Sequence, residues 1–138
     1  MAADRTPVQV LLVEDSRAMR DYVSSILEAE GNFEVHEVSN GFDALRVLPR
    51  GDYALIVSDI NMPDVSGIEL ARFVRQTERH AATPMVVIST DASTVDRERA
   101  LGAGADAFLA KPFSGDQLVS AIEEAMARAA GGGGAEIP

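Results

Sequence analysis

Five polar side chains of this 138-residue sequence stand at the ends of short apolar segments, and together their types could do chemistry. Glu14 and Asp15 follow the first segment, Asp59 follows the third, and Ser89 and Lys111 stand at the ends of the fourth and fifth. Carboxylate oxygens bind hard cations such as Mg²⁺. A metal ion, a hydroxyl and an ammonium group around a carboxylate can stabilise the charge of a phosphoryl group during its transfer.

The apolar segments have the length and composition of buried β-strands, and segments of helical periodicity separate them. The predicted strands are 8–13, 33–38, 53–58, 84–89 and 106–110. Five helices alternate with them: Ser16 caps the first, Pro49 stops the second, and the fourth spans 93–101. This alternation predicts an α/β fold in which a parallel five-stranded sheet carries helices on both faces. The expected architecture is a flavodoxin-like (βα)5 doubly wound sandwich of strand order 2-1-3-4-5.

That topology would bring the carboxylates together. Ligands of open α/β sheets bind beyond the carboxyl ends of the strands, where the strand order reverses, which here lies between strands 1 and 3. Glu14, Asp15 and Asp59 would therefore converge on one crevice, with Ser89 and Lys111 on the same rim. Converging carboxylates repel one another unless a cation or protons occupy the site. We expect that cation to be Mg²⁺.

Four segments together resemble a response-regulator receiver domain, and most closely the single-domain, CheY-like type. They are Leu-Leu-Val-Glu-Asp-Ser at 11–16, Ser-Asp-Ile-Asn-Met-Pro at 58–63, Ile-Ser-Thr at 88–90 and Phe-Leu-Ala-Lys-Pro-Phe at 108–113. The resemblance covers about 8–130. It implies a signalling switch of a two-component phosphorelay, which receives a phosphoryl group from a histidine kinase or phosphotransfer protein and signals to a downstream protein by direct contact.

The resemblance also implies roles for the residues around the metal. Asp59 would be the phosphoacceptor and would also contact Mg²⁺. Asp15 would bind the ion directly, and Glu14, standing where Asp is commoner, would act through water or as a nearby ligand. Asn61 would offer its main-chain carbonyl oxygen.

Other residues would sense the phosphoryl group. Lys111 would pair with its oxygens, and Pro112 would aim that lysine through a cis peptide bond. Ser89 would donate a hydrogen bond to the phosphoryl group and draw its loop inward, and Phe108 would be the aromatic switch that turns inward in response. Thr90 completes this predicted switch set.

The residue after Ser89 is expected to set the lifetime of the phosphorylated state. Thr90 stands where the family often has a smaller residue, and a β-branched side chain is stiff at χ1. It would hinder a water that approaches in line with the bond to Asp59, a path beside which the resemblance places Asn61 and Asp91. Alternatively, Thr90 points into the loop and changes nothing.

The composition limits which binding partners and which cellular compartment we expect for this protein. The formal net charge of −10 argues against nucleic acid and anionic membranes as partners, and without cysteine there are no disulfides or thiolate metal sites. No segment resembles a signal peptide or a membrane span, so we expect a cytoplasmic protein. The charged segment 96–99 favours a monomer. The expected organisation is an N-terminal extension at 1–7, a receiver domain at 8–130 and a flexible Gly-rich tail at 131–138.

Two other functions remain open at this point. A Mg²⁺-dependent phosphohydrolase of the haloacid dehalogenase type could use Asp59 as nucleophile, but such enzymes usually carry an acid/base Asp two residues later, where this chain has Asn61. A degenerate receiver could serve only as a docking scaffold, although every phosphorylation residue is present. We expect a phosphoacceptor that takes part in its own phosphorylation and dephosphorylation, not an enzyme acting on other substrates.

The sequence leaves open whether the chain is complete, which kinase phosphorylates it and which pathway it serves. His36 and His80 have no sequence neighbours that suggest catalysis.

Overall fold

The computed structural model describes residues 6–90 and 93–135, with side chains described as far as Gly131 in the second range. Within these ranges five strands alternate with five helices. The strands are β1 Val8–Val13, β2 Phe33–Val38, β3 Leu55–Asp59, β4 Met85–Ser89 and β5 Ala107–Ala110. The helices are α1 Arg17–Glu30, α2 Gly41–Val47, α3 Gly67–Gln76, α4 Thr94–Gly102 and α5 Gly115–Ala135, with a short 3₁₀ helix at Glu78–His80.

The sheet has the predicted topology. All strand pairs are parallel and the order is β2-β1-β3-β4-β5. Every residue of β3 and β4 is buried, as expected for central strands covered by helices on both faces. The order reverses at β1, so the carboxyl ends of β1 and β3 border one crevice.

Two hydrophobic layers flank the sheet. On β1, Leu11 and Val13 pack in the layer that contains residues of α2, α3 and α4, whereas Val10 and Leu12 pack in the layer formed with α1 and α5. This alternation follows from the two-residue period of a strand. No helix among the described residues is long and apolar enough to cross a membrane.

Several helix ends follow local sequence signals. The Ser16 hydroxyl accepts from the Met19 N–H at the start of α1, and Gly31 ends that helix at φ 90°. Gly67 begins α3 under a tighter constraint, because a Cβ atom there would lie 2.4 Å from the Asp59 carbonyl oxygen. Glycine therefore lets α3 start directly against the end of β3.

β4 and β5 each begin one residue later than predicted, and α4 lies one residue further along the chain. The larger differences are at β3 and at one short helix. β3 begins at Leu55 instead of 53, because the Tyr53 N–H donates to His80 Nε2 and not to a neighbouring strand. Asp59 is the last residue of β3 and not the first after it, since its pairing with Ile88 continues the ladder. The short helix Glu78–His80 was not predicted.

The expectation that regular structure ends at Gly131 is wrong. Helix α5 continues to Ala135, because glycine can adopt helical dihedral angles at a cost of about 1 kcal/mol relative to alanine. Residues 136–138 of the predicted tail lie outside the described residues, as do residues 1–5 of the predicted N-terminal extension.

Candidate functional site

Three carboxylates converge where the strand order reverses, as the topology predicted. Glu14, Asp15 and Asp59 each offer an oxygen within 4.8 Å of the others. Glu14 is fully buried, Asp59 is 4% exposed and Asp15 is exposed. The position of Glu14 is set by the strand ladder, because its N–H donates to the Val38 carbonyl oxygen at 3.1 Å.

Within residues 6–90 and 93–135, a single cation faces these carboxylates. Lys111 follows β5 and is the only lysine of the sequence. Its N–H donates to the Ser89 carbonyl oxygen at 2.8 Å. Its Nζ lies 3.2 Å from Glu14 Oε1 and 3.5 Å from Asp59 Oδ1. The Lys111–Pro112 peptide bond is cis, as the resemblance implied.

The two buried carboxyl groups resist ionisation. Burial raises the pKa of the Asp59 carboxyl, although Lys111 and the Asn61 main chain act to lower that pKa. Burial also raises the pKa of the Glu14 carboxyl, and the charge of Asp59 raises that pKa further. The hydrogen bond from the Ser16 N–H acts to lower it. The three acids carry more negative charge than Lys111 can offset, so the site favours an added cation.

The donor set fits a hard divalent cation. Asp59 Oδ1 is buried and has no hydrogen-bond partner among the described residues, while Lys111 is at a distance too long for a strong hydrogen bond. A buried carboxylate oxygen without a hydrogen-bond partner is costly unless something else binds it. The neighbouring ligands are oxygens alone, which suits Mg²⁺ better than a transition metal.

The predicted switch residues surround this cluster at different depths. Ser89 is the last residue of β4 and is buried, whereas Thr90 after it is exposed. Phe108, on β5, pairs with Val87 of β4. Its partly buried ring packs against the layer of α2, α3 and α4. Asn61 is exposed just beyond β3. Asp91, which the resemblance placed beside the path of the hydrolytic water, lies outside the described residues.

Sequence analysis did not identify two contacts between α1 and the site. Arg20 donates to the Glu14 carbonyl oxygen at 2.9 Å, and Tyr22 donates to the Phe113 carbonyl oxygen at 2.6 Å. Their partners lie on β1 and beyond β5, so no local spacing indicates these pairs. A polar Tyr22 within an otherwise apolar stripe of α1 was the only available signal.

Comparison with known proteins agrees with this arrangement. The family model of the response regulator receiver domain matches residues 10–123. The response regulator Rre1 of Synechocystis is 35% identical over 122 residues, which cover 88% of this chain and 53% of Rre1. The chain thus spans about half the length of the curated relatives it matches.

Solved structures match over nearly their whole length. The chemotaxis response regulator CheY4 of Vibrio cholerae is 30% identical, with a TM-score of 0.81, covering 87% of this chain and 99% of CheY4. The receiver domain of the sensor histidine kinase PA1611 of Pseudomonas aeruginosa has a magnesium ion in its active site cleft. It is 29% identical, with a TM-score of 0.80, covering 88% of this chain and 99% of that domain. This chain belongs to the response regulator receiver domains, the signalling switches of two-component phosphorelays.

Proposed function

We propose that Asp59 is the phosphoacceptor of this receiver and that Mg²⁺ bound beside it supports the transfer. The observation that carries the proposal is the buried Oδ1 of Asp59, which has no hydrogen-bond partner among the described residues and lies 3.5 Å from the only lysine. Glu14, Asp15 and Asp59 would hold the ion, with the main-chain carbonyl of Asn61 as a further ligand. The magnesium ion in the cleft of the PA1611 receiver supports this choice of metal. The bound ion would neutralise charge on the phosphoryl oxygens.

Asp59, Lys111 and Pro112 would each have a different role in the phosphoryl transfer. An Asp59 carboxylate oxygen forms a bond to phosphorus while the bond from phosphorus to the donor's imidazole nitrogen breaks. The product is an acyl phosphate; the leaving imidazole nitrogen keeps the electron pair of the broken bond and takes up a proton from solvent. Lys111 then pairs with the phosphoryl oxygens in place of its present contacts to Glu14 and Asp59. In the same proposal, Pro112 sets the direction of the lysine.

The signal would leave the site through β4 and β5. Ser89 donates a hydrogen bond to the phosphoryl group and draws the loop after β4 inward. Phe108 pairs with the strand that ends in Ser89 and is partly buried, so an inward turn of its ring would bury more apolar surface. Thr90 and Pro112 complete the proposed switch.

The other two functions are not favoured. Phosphohydrolase chemistry lacks its acid/base group, because Asn61 carries an amide that does not exchange protons near neutral pH. A docking scaffold would not need a buried acceptor surrounded by carboxylates and a lysine. We propose that a histidine kinase or phosphotransfer protein in the cytoplasm is the donor, and that an as yet unidentified downstream protein reads the phosphorylated state.

Mass spectrometry of the intact protein tests the phosphoacceptor. With Mg²⁺ and acetyl phosphate, the wild type should gain one phosphoryl group, and Asp59→Asn should gain none because an amide is a poor nucleophile. Asp21→Asn, which changes an exposed aspartate of α1, should react like the wild type. An adduct found on Ser89 or a histidine would overturn the assignment.

Titration with Mg²⁺ tests the metal ligands. Replacing Glu14 with Asn and Asp15 with Ala together should abolish Mg²⁺-dependent phosphorylation while the fold remains. The metal-free variant should unfold at a higher denaturant concentration than the wild type, because the replaced acids repel Asp59. Wild-type Mg²⁺ affinity in this variant would place the metal elsewhere.

A further inference from the structure

Helix α1 holds two of the three segments that carry the charged side chains of the site; the third is β3, which ends in Asp59. Arg20 Nη1 donates to the main-chain carbonyl oxygen of Glu14 at 2.9 Å, and the Tyr22 hydroxyl donates to the main-chain carbonyl oxygen of Phe113 at 2.6 Å. Both acceptors are main-chain atoms, so each bond fixes a segment of backbone. One segment carries the acids after β1, and the other carries Lys111 after β5.

The guanidinium of Arg20 is itself firmly held. Its Nε lies 3.5 Å from Glu37 Oε1, and the other oxygen of Glu37 accepts from the Ser24 hydroxyl at 2.6 Å. The Arg20 side chain is only 17% exposed. Because the N–H of Glu14 also donates to Val38, the main chain of Glu14 is anchored on both sides, to β2 and to α1.

Tyr22 anchors the lysine segment in the same way. Its ring centroid lies 5.7 Å from that of Phe113, whose side chain is buried in the layer of α1 and α5. The same segment is held at its other end by the bond from the Lys111 N–H to Ser89. The backbone from Lys111 to Phe113 is therefore fixed by β4 at one end and by α1 at the other.

We propose that Arg20 and Tyr22 are positioning residues for phosphoryl transfer. Arg20 sets the acids at the spacing the metal needs, and Tyr22 sets Lys111 at the distance the phosphoryl group needs. The inference rests on the proposed function, since it assigns these residues to the metal and phosphoryl sites proposed above. It predicts separable defects, because the two bonds act on different segments.

The arginine is tested by Mg²⁺ titration of the phosphate-free protein. Arg20→Gln should weaken Mg²⁺ binding about tenfold, as loss of a group that orients metal ligands commonly does. Arg17→Gln removes a positive charge from the same helix, at an exposed side chain that makes only a 4.0 Å ion pair, and should change the affinity less than about twofold. If Arg20→Gln does not fold, Arg20→Lys should show the same defect in smaller degree, because lysine lacks the planar fork that reaches Glu14 and Glu37 together.

The tyrosine is tested by the phosphorylation rate at saturating Mg²⁺. Tyr22→Phe removes only the hydroxyl and should slow phosphorylation by acetyl phosphate about fivefold, the rate equivalent of one hydrogen bond, with Mg²⁺ affinity unchanged. The chain has one other tyrosine, and its hydroxyl bonds to His36. Tyr53→Phe should leave the rate unchanged.

Combining the two changes separates the outcomes. The double variant should show each defect at its single-variant size, about tenfold in Mg²⁺ affinity and about fivefold in the rate at saturating Mg²⁺, because independent sites add in free energy. Variants that lose stability but keep wild-type Mg²⁺ affinity and rate would give Arg20 and Tyr22 a purely structural role and overturn the inference. A wild type that binds no Mg²⁺ and accepts no phosphoryl group would overturn the proposed function together with it.

Discussion

At the scale of single residues, the site is built from groups whose surroundings oppose their ordinary ionisation. Asp59 and Glu14 are buried carboxyls with raised pKa values, and the only compensating cation among their described neighbours is Lys111. That arrangement lowers the stability of the metal-free protein. The same imbalance would favour a divalent ion and then a phosphoryl group at this place.

Thr90 provides a residue-scale prediction about signal lifetime. Its side chain is exposed directly after the buried Ser89, so it can face solvent at the edge of the site. Thr90→Ala should speed loss of the phosphoryl group several-fold, since opening one water path is worth about 1 kcal/mol in the barrier. Acyl-phosphate decay would be followed after donor removal at fixed Mg²⁺. An unchanged or slower decay would show that Thr90 does not hinder the water.

At the scale of elements, one arginine joins three segments at the edge of the sheet opposite the site. Arg75, near the end of α3, donates to the carbonyl oxygens of Gly104 at 2.9 Å and Thr83 at 2.7 Å. It also pairs with the Asp106 carboxylate at 2.9 Å. Asp106 in turn accepts from the N–H of Met85, the first residue of β4. The starts of β4 and β5 are thereby tied to α3.

Removing this arginine should destabilise the fold without changing the chemistry. Both partners are only about one-fifth exposed, at 21% and 19%, so Arg75→Met should lower the free energy of unfolding by about 3 kcal/mol. Arg79→Met is the matched control, since its pair with Asp52 is largely exposed, and it should cost less than about 0.5 kcal/mol. Urea denaturation would measure both values. Equal losses would show that Arg75 is not a special anchor.

His80 gives a second element-scale prediction, concerning pH. It is 1% exposed in the short helix before β4, and burial lowers the pKa of its imidazole, with the charge of Arg79 lowering it further. The unfolded chain therefore takes up a proton on this histidine at a higher pH than the folded chain does. The contribution to stability is present above the usual histidine pKa and is lost as the pH falls through the lower folded value.

Replacing this histidine should reduce the acid sensitivity of the fold. His80→Gln keeps an acceptor for the Tyr53 N–H, and its free energy of unfolding should fall less steeply than that of the wild type below about pH 6.5. The difference in slope should not exceed about 1.4 kcal/mol per pH unit, the limit for one proton. Identical slopes in the two proteins would rule out a contribution from His80.

At the scale of the whole molecule, charge argues against self-association. The net charge is −10, and the exposed surface of α4 is dominated by the charged segment 96–99, where Arg99 and Asp96 pair at 3.8 Å. Val95 is 63% exposed beside it, a single apolar side chain. Stable interfaces bury about 1,600 Å² and deplete charged residues at their centre. This surface has the opposite composition.

We therefore expect the phosphorylated protein to stay monomeric. Sedimentation of the protein with Mg²⁺ and beryllofluoride, a mimic of the phosphoryl group, should show one monomer-sized species at low micromolar concentration. The matching measurement on Asp59→Asn with the same additions controls for metal-induced association. A stable dimer that forms only in the wild type would contradict the prediction.

The sequence alone determined the order of the elements, the parallel sheet and the convergence of the acids. Periodicity separates strands from helices locally, and the rules of parallel α/β connection then leave few topologies. Glu14, Asp15, Asp59, Ser89 and Lys111 were predictable as a group because parallel strands end at one edge of the sheet. Their chemical types, read with the family resemblance, indicated Mg²⁺ and phosphoryl transfer.

Only the tertiary structure decided how these residues are held. Two contacts join residues distant in sequence: Lys111 with Glu14, and Tyr22 with the Phe113 carbonyl. The third, from Arg20 to the Glu14 carbonyl, depends on where the arginine side chain points. A hydrophobic pattern specifies which face of an element is buried, but not which polar groups meet across the packed elements. The same reason explains the missed burial of His80, which contacts both the main chain and the ring of the distant Tyr53.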